Sequence, residues 1–174
     1  MKPLKQVAQA YMALSEGEKK QQESAFEEAV SEYRRAMECS RTIPEEEVFD
    51  HEGFDALCHA GLSGALGKLE RYEESLASAE QALRYFGRRG ELHQDEGKQW
   101  IAAVVSRALA LARTGRTGEA LNAFRMAGEM VAERKGELPD KEMIQKIIGD
   151  NIAMLQISMP EDSAKRKAWW EFWS

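Results

Sequence analysis

An internal repeat constrains the fold of this chain more than any other feature. Three six-residue segments align with one another, residues 24–29 (SAFEEA), 70–75 (ERYEES) and 115–120 (GRTGEA), at intervals of 46 and 45 residues. Further matches follow each segment at fixed distances: Tyr33, Ala79 and Phe124, then Ala36, Ala82 and Ala127. A second match, of residues 88–92 with residues 134–138, has the same interval. This pattern predicts one structural unit stacked on copies of itself.

The composition favours α-helix along nearly the whole chain. Alanine is abundant, no alternating run reaches strand length, and the four prolines lie where helices would begin. We therefore expect an all-α fold, with Glu45, Glu46 and Glu47 in the first turn of the third helix and Asp140 as the N-cap of the last. A bend, fraying or a helix restart is expected within residues 17–22. The predicted helices span residues 4–22, 26–41, 45–69, 72–86, 92–113, 117–135 and 140–157.

Helical spacing of apolar residues predicts which faces are buried. In the first helix this stripe comprises Leu4, Val7, Ala8, Tyr11 and Leu14. In the last helix it comprises Met143, Ile144, Ile147, Ile148, Ile152 and Leu155, and we interpret this helix as a cap on the stacked units.

The repeat units resemble tetratricopeptide repeats, whose pattern places small and aromatic residues at fixed positions of a helix hairpin. The resemblance covers residues 4–155, with a first unit that has Lys20 where an apolar residue is expected. The matching positions are Gly17, Ala29, Tyr33 and Ala36 in the first unit, Leu62, Ser63, Leu66, Ser75, Ala79 and Ala82 in the second, and Ala108, Leu111, Ala120, Phe124 and Ala127 in the third. The interval exceeds the family's 34 residues, which implies extended helices. The chain looks most like the bacterial tetratricopeptide-like domains of unknown function.

The resemblance implies an α-α superhelix of three helix hairpins plus a C-terminal capping helix. It also implies a non-enzymatic module that presents a concave face to a protein or peptide partner and can self-associate as a homodimer. We expect the helical domain to span residues 1–158, with residues 159–174 as a separate tail. The family's clamp for acidic C-termini needs basic residues on the groove side, where this chain has Leu14, Glu18, Ala60 and Val105 instead.

Small residues are unusually frequent in the third predicted helix: Gly53, Ala60, Gly61, Gly64 and Gly67. Each glycine costs a helix about 1 kcal/mol relative to alanine, so another interaction must compensate. The compensation is either the close approach of a neighbouring helix or a shallow groove floor left for a peptide.

Two polar clusters are candidate partner-binding sites. His51, Asp55 and His59 lie along one helix face at i, i+4 spacing, where they serve either as capping and inter-helix hydrogen-bonding groups or as metal ligands of a hydrolase. Their span of about 12 Å on a straight helix prevents all three from binding one ion, so we assign no metal. Arg88 and Arg89 lie between glycines, where they either grip an anion or cap a helix and pair with nearby carboxylates.

If the extended helices bring Asp50, His51 and Asp55 beside Arg88, Arg89 and Asp95, these residues form the leading polar site. The remaining candidate partner-binding residues are Lys68 and Arg113.

The C-terminal tail differs from the rest of the chain in composition. Three basic residues, 165–167, precede four large aromatic side chains, which are Trp169, Trp170, Phe172 and Trp173. Such a segment anchors either in a groove, its own or that of a second copy, or at a membrane surface. We favour the groove over the membrane, which leaves a peripheral membrane adaptor as the alternative function.

Charge and motifs exclude several function classes. The net charge of -6 disfavours nucleic-acid binding, and the chain contains no phosphate loop, catalytic triad motif or cofactor fingerprint. No apolar run is long enough to span a membrane and no signal peptide is apparent. Two cysteines without metal-like spacing predict reduced thiols, so we expect a cytoplasmic protein. From the missing fingerprint we expect no cofactor.

Overall fold

Seven helices form the part of the chain that the structure, a computed structural model, describes, namely residues 2–89 and 97–159. No strand occurs within these ranges. The helices are α1 Lys2–Gln22, α2 Phe26–Arg41, α3 His51–Lys68, α4 Tyr72–Arg89, α5 Gly97–Arg113, α6 Thr117–Glu133 and α7 Lys141–Ser158. The predicted all-α class and the repeated hairpins are confirmed.

The third helix begins later than predicted. Residues 45–50 are not helical, and α3 starts at His51 because the Asp50 carboxylate accepts a hydrogen bond from the Gly53 backbone N–H at 2.9 Å. This is an N-cap interaction, which fixes the beginning of the helix immediately after Asp50. The prediction that Glu45, Glu46 and Glu47 form the first turn of the helix is therefore wrong.

Other helix limits also differ from the predictions. The α1 helix continues without interruption through residues 17–22, so the expected bend or restart is wrong. The α4 helix extends to Arg89, and α6 ends at Glu133. The expected start of α5 at residue 92 lies outside the described residues.

The turn inside each hairpin has the same backbone conformation in all three units. Ser24, Glu70 and Gly115, which are equivalent in the repeat, adopt left-handed φ values of 61°, 60° and 81°. The next residue in each turn donates its backbone N–H to a carbonyl five residues earlier, as Arg71 does to Leu66 at 3.0 Å and Arg116 to Leu111 at 2.9 Å. A left-handed residue with such a bond is the Schellman end of a helix, so the sequence repeat is a repeat of turn geometry.

Consecutive helices run antiparallel, so the odd-numbered helices run parallel to one another. The start of α3 lies beside the end of α4, where Arg88 Nη2 is 3.1 Å from Glu52 Oε2. A Cβ added at Gly128 in α6 would lie 3.7 Å from Ile148 Cγ2 in α7, and the short connection 134–140 joins the end of α6 to the start of α7, so these helices also pack as an antiparallel pair. The parallel arrangement of α1, α3, α5 and α7 gives the superhelix one face made only of these helices.

Two apolar cores lie on either side of a smaller central one. The first, shared by α1, α2 and α3, surrounds the buried Tyr33 ring, and the second, shared by α5, α6 and α7, surrounds Phe124. Between them, Tyr85 and Phe86 of α4 pack against small residues of α3 and α5, including Ala60 and Ala103. Burial of each large side chain contributes roughly 1.5 to 3 kcal/mol, so packing determines the stacking of the units.

The buried face of α1 is rotated from its predicted position. Leu4 and Tyr11 are 81% and 50% exposed, whereas Ala10, Ala13 and Leu14 are buried. The reason is that α2 and α3 both pack against the small residues of α1, ending at Gly17 beneath the Tyr33 ring. The predicted stripe is correct only at Leu14 and, in part, at Val7.

The α7 helix packs on α6 through one narrow face. Ile148 and Leu155 are buried and Ile144 and Ile152 are partly buried, but Met143 is 55% exposed, so the predicted stripe is too wide. Asp140 has a left-handed backbone and makes no side-chain cap, which corrects the predicted N-cap. The α7 helix thus covers α6 at the end of the stack, while Met154 and Ile157 on the rest of α7 are exposed.

Candidate binding groove

A groove of about 640 Å³ runs across the face made by the odd-numbered helices. We call it the concave groove. It has a first half, lined by α1 and α3, and a second half, lined by α5 and α7. First-half residues include Glu18, Gln21, Leu57, Ala60, Gly61 and Gly64, and second-half residues include Lys98, Gln99, Ala102, Val105, Leu109, Met143 and Ile147.

The Tyr33 side chain fills the first half from behind. A Cβ added at Gly17 would lie 2.9 Å from Tyr33 Cδ1, and one added at Gly61 would lie 2.6 Å from Tyr33 Cε1, distances that real Cβ atoms do not reach. The Tyr33 hydroxyl donates a hydrogen bond to Gln21 Oε1 at 2.7 Å. Burial raises the pKa of the Tyr33 phenol, which stays protonated and able to donate. The Tyr33 hydroxyl of the first half therefore has its hydrogen-bond partner within the protein.

The glycines of α3 make room for side chains rather than for a helix backbone. Gly61 lies against Tyr33, Gly64 against the Gln21 amide, and Gly53 against Tyr85. Gly67 is less constrained, because its added Cβ would be at an ordinary 3.4 Å from Ser75 Oγ. Both sequence interpretations thus meet at Gly61 and Gly64, which accept a neighbouring helix's side chain and also line the groove.

The second half of the groove is apolar and open. Ala102 is exposed on its floor, and Val105, Leu109 and Ile147 are half-buried along its walls. Gln99 Oε1 is buried there and accepts no hydrogen bond from any described residue. A buried acceptor without a donor costs free energy, so this half has both apolar surface and hydrogen-bonding capacity to offer a ligand.

Exposed basic side chains lie at the two ends of the groove, with Lys98 at the amino end of α5 and Lys68 and Arg113 at the other end. Lys68 and Arg113 are exposed at the carboxyl ends of α3 and α5, where the helix dipoles favour cations. Neither has a carboxylate partner among the described residues; the Arg113 guanidinium lies 6.0 Å from the centre of the Tyr72 ring. Desolvation raises the pKa of the Glu18 carboxyl above its ordinary value. Both predicted basic residues therefore line the groove, at one edge.

The amino end of α3 and the carboxyl end of α4 form a separate polar cluster. The Tyr85 hydroxyl donates to Asp50 Oδ2 at 2.6 Å, while Asp50 also caps α3. Arg88 pairs with Glu52 at 3.1 Å and donates to the Arg84 carbonyl at 3.2 Å. The structure thus places Asp50 and Arg88 at the same pair of helix ends, Asp50 with Tyr85 and Arg88 with Glu52.

The three residues of the predicted histidine face point into different surroundings. The His51 ring packs edge-on against Phe49 with centroids 4.8 Å apart, and Asp55 accepts a hydrogen bond from Ser40 Oγ at 3.2 Å. Burial lowers the pKa of His59 below 6.5, against the opposing effect of Asp55. His51 Nε2 and His59 Nδ1 are buried without a partner in the described chain. Within residues 2–89 and 97–159, no three His, Cys, Asp or Glu side chains group as metal ligands.

Several predicted site residues lie where the structure gives no account of them. The Arg89 side chain, Asp95 and the aromatic anchors Trp169, Trp170, Phe172 and Trp173 are outside the described residues.

Sequence reasoning placed Val105 on the groove side but did not identify the other residues of the second half as groove lining. Ala102, Val105 and Leu109 recur at helical spacing on α5, and Met143 and Ile147 do so on α7, which was the available signal. The pattern alone does not distinguish a buried stripe from a groove wall, because both are apolar at the same spacing. Gln99 gave no signal, since its importance comes from burial.

Comparison with known proteins identifies relatives of the whole helical array. A family model described as Domain of Unknown Function (DUF3856) matches residues 2–144. A crystal structure of a tetratricopeptide-like protein from Chlorobium tepidum is 54% identical, covers 90% of this chain and 99% of its own, and has a TM-score of 0.87. The C-terminal tetratricopeptide-containing domain of a Plasmodium falciparum FK506-binding protein covers 90% of this chain and 96% of its own, with a TM-score of 0.61 at 14% identity, which shows the fold alone. No match was found among curated proteins.

Proposed function

Because this chain belongs to the DUF3856 family and folds as a tetratricopeptide-like superhelix, we propose that it is a non-enzymatic module that binds a peptide segment of a protein partner. Folds of this kind commonly serve as interaction scaffolds and are generally not catalytic. The observation that carries the proposal is the open, apolar second half of the concave groove.

The lining residues indicate the chemistry of the partner. A segment that fits the second half carries one or two large apolar side chains, because Val105, Leu109 and Ile147 offer no charge to match. A hydrogen-bond donor on that segment satisfies Gln99 Oε1. An acidic residue at the other end of the segment lies near Lys68 and Arg113 and adds specificity more than affinity.

The polar clusters outside the groove support a binding module over a hydrolase. Asp50, Asp55 and Arg88 are each engaged by hydrogen bonds within the fold, which is the usual state of helix-end residues. None of the described helices is both long and apolar enough to cross a membrane. Free thiols at Cys39 and Cys58 support placement in the cytoplasm, which we include in the proposal.

Selection of peptides from a displayed random library tests this function. The bait is the chain ending at residue 159, which keeps the seven described helices and both large apolar cores. We expect enriched peptides to share large apolar residues and to lose binding when Ala102→Glu places a carboxylate on the groove floor.

The matched control is Ala77→Glu, which adds the same charge at an exposed position of α4 outside the groove. Binding that survives Ala102→Glu, or that Ala77→Glu abolishes equally, would contradict the proposal.

A further inference from the structure

We propose that the chain's own C-terminal segment, residues 160–174, occupies the second half of the concave groove and competes there with the partner peptide. This inference rests on the proposed function of the groove and names its resident ligand. It makes the module self-inhibited until a partner displaces the tail.

The position of the last described residue favours this occupant. The α7 helix runs parallel to α5, so Met159 lies at the same end of the molecule as Arg113 and Lys68, while Met143 lies at the end of Gln99. The tail therefore starts at the end of the molecule where Arg113 and Lys68 lie, beside the second core against which Met159 packs. A second copy must meet the groove by diffusion, whereas the tail is tethered beside it.

The lengths also match. Returning from Met159 to the level of Met143 requires about 24 Å, at 1.5 Å per helical residue. Ten extended residues, from 160 to Trp169, reach about 33 Å. The aromatic residues can thus lie over Val105 and Ile147. The acidic pair Glu161 and Asp162 then remains beside Arg113 and Lys68, whose side chains have no carboxylate partner in the described chain.

The chemistry of the groove matches the tail in two respects. The apolar walls of the second half suit indole and phenyl rings, and the groove, which has a volume of about 640 Å³ over both halves, accommodates large side chains. The unpartnered Gln99 Oε1 needs a donor, and the indole N–H of tryptophan is a donor attached to an apolar body. Trp169, Trp170 and Trp173 each carry this combination.

Competition measures this docking directly. A labelled synthetic peptide of residues 160–174 is titrated into the full chain and into the chain ending at residue 159. We expect roughly tenfold to hundredfold tighter binding to the shortened chain, because a tethered tail acts at millimolar effective concentration. Trp169→Ala with Trp170→Ala in the full chain should restore tight binding without touching the helical domain. Equal affinity for both chains would overturn the inference.

Two further controls locate the tail and identify the surface on which it docks. In a Trp100→Phe background, only tail tryptophans emit, and we expect their quenching by acrylamide to rise with Ala102→Glu but not with Ala77→Glu. Quenching that depends on protein concentration would indicate docking on a second copy and overturn the inference. So would protection gained only on adding phosphatidylserine vesicles, which would indicate a membrane surface.

Failure of this inference is distinguishable from failure of the proposed function. If library peptides bind the shortened and full chains equally well, and Ala102→Glu abolishes binding to both, the groove binds peptides but the tail does not occupy it. If no peptide binds the shortened chain, the proposed function itself fails.

Discussion

The two halves of the concave groove are built from equivalent positions of the repeat, yet they differ in how they are filled. In the first half, Tyr33 lies on Gly17 and Gly61 and its hydroxyl is bonded to Gln21. In the second half, the equivalent Phe124 is buried in the core behind α5 and does not line the groove, which stays open along Val105 and Leu109. A hydroxyl-bearing ring on glycines thus forms the back of the first half, whereas no equivalent ring lines the second half.

The largest expected effect comes from removing the ring that forms the back of the first half. Tyr33→Ala should lower the free energy of unfolding by about 3 to 5 kcal/mol, because it empties a fully buried aromatic site. Urea unfolding followed by circular dichroism measures this loss. The comparison variant, Tyr11→Ala, removes a half-exposed tyrosine and should cost about 1 kcal/mol. Equal losses at the two positions would contradict the central place given to Tyr33.

Filling a glycine beneath the ring should have the next largest effect. Gly61→Ala forces the Tyr33 ring to move and should cost about 1 to 3 kcal/mol of stability. Gly149→Ala, where nothing lies within 4 Å of the added Cβ, should instead stabilise the protein by about 0.5 to 1 kcal/mol. In a Tyr33→Ala background the penalty at Gly61 should vanish. A penalty that persists without the ring would mean that another contact makes Gly61 necessary.

The repeat was predictable from the sequence because its signal is local. The difference between the two halves of the groove was not. Ser24, Glu70 and Gly115 share a turn geometry that five neighbouring residues determine, so aligned letters predicted aligned turns. The start of α3 was missed because Asp50 prefers capping over continuing the helix. The contrast between the groove halves depends on contacts of Tyr33 with Gly17 and with Gly61, which are 16 and 28 positions away in the sequence. Helical spacing does not reveal contacts of this kind.

A smaller effect should follow from removing only the hydroxyl of Tyr33. Tyr33→Phe makes this site resemble Phe124 and breaks the hydrogen bond to Gln21, at a cost of about 0.5 to 1.5 kcal/mol. Thermal unfolding of the Tyr33→Phe and Gln21→Ala variants and of their combination measures the coupling. Strict additivity of the two losses would show that the hydroxyl and the amide act independently.

The smallest effect concerns pH. Burial lowers the pKa of His59 in the folded state below its ordinary 6.5, so the unfolded chain binds more protons near that pH. Stability should therefore decline as pH falls from above 6.5 through the folded pKa, and His59→Gln should flatten this part of the curve. Unfolding midpoints of both proteins from pH 8 to pH 5 test the difference. Parallel curves would show that His59 titrates alike in the two states.

Methyl-resolved NMR of the chain ending at residue 159, titrated with a library-selected peptide, tests the central claim most directly, since it shows which half of the groove the ligand contacts. We predict that the methyl signals of Val105, Leu109 and Ile147 shift with the peptide while those of Leu57 and Ala60 stay in place. Shifts confined to Leu57 and Ala60 would place the ligand in the first half, in front of Tyr33, and contradict the account.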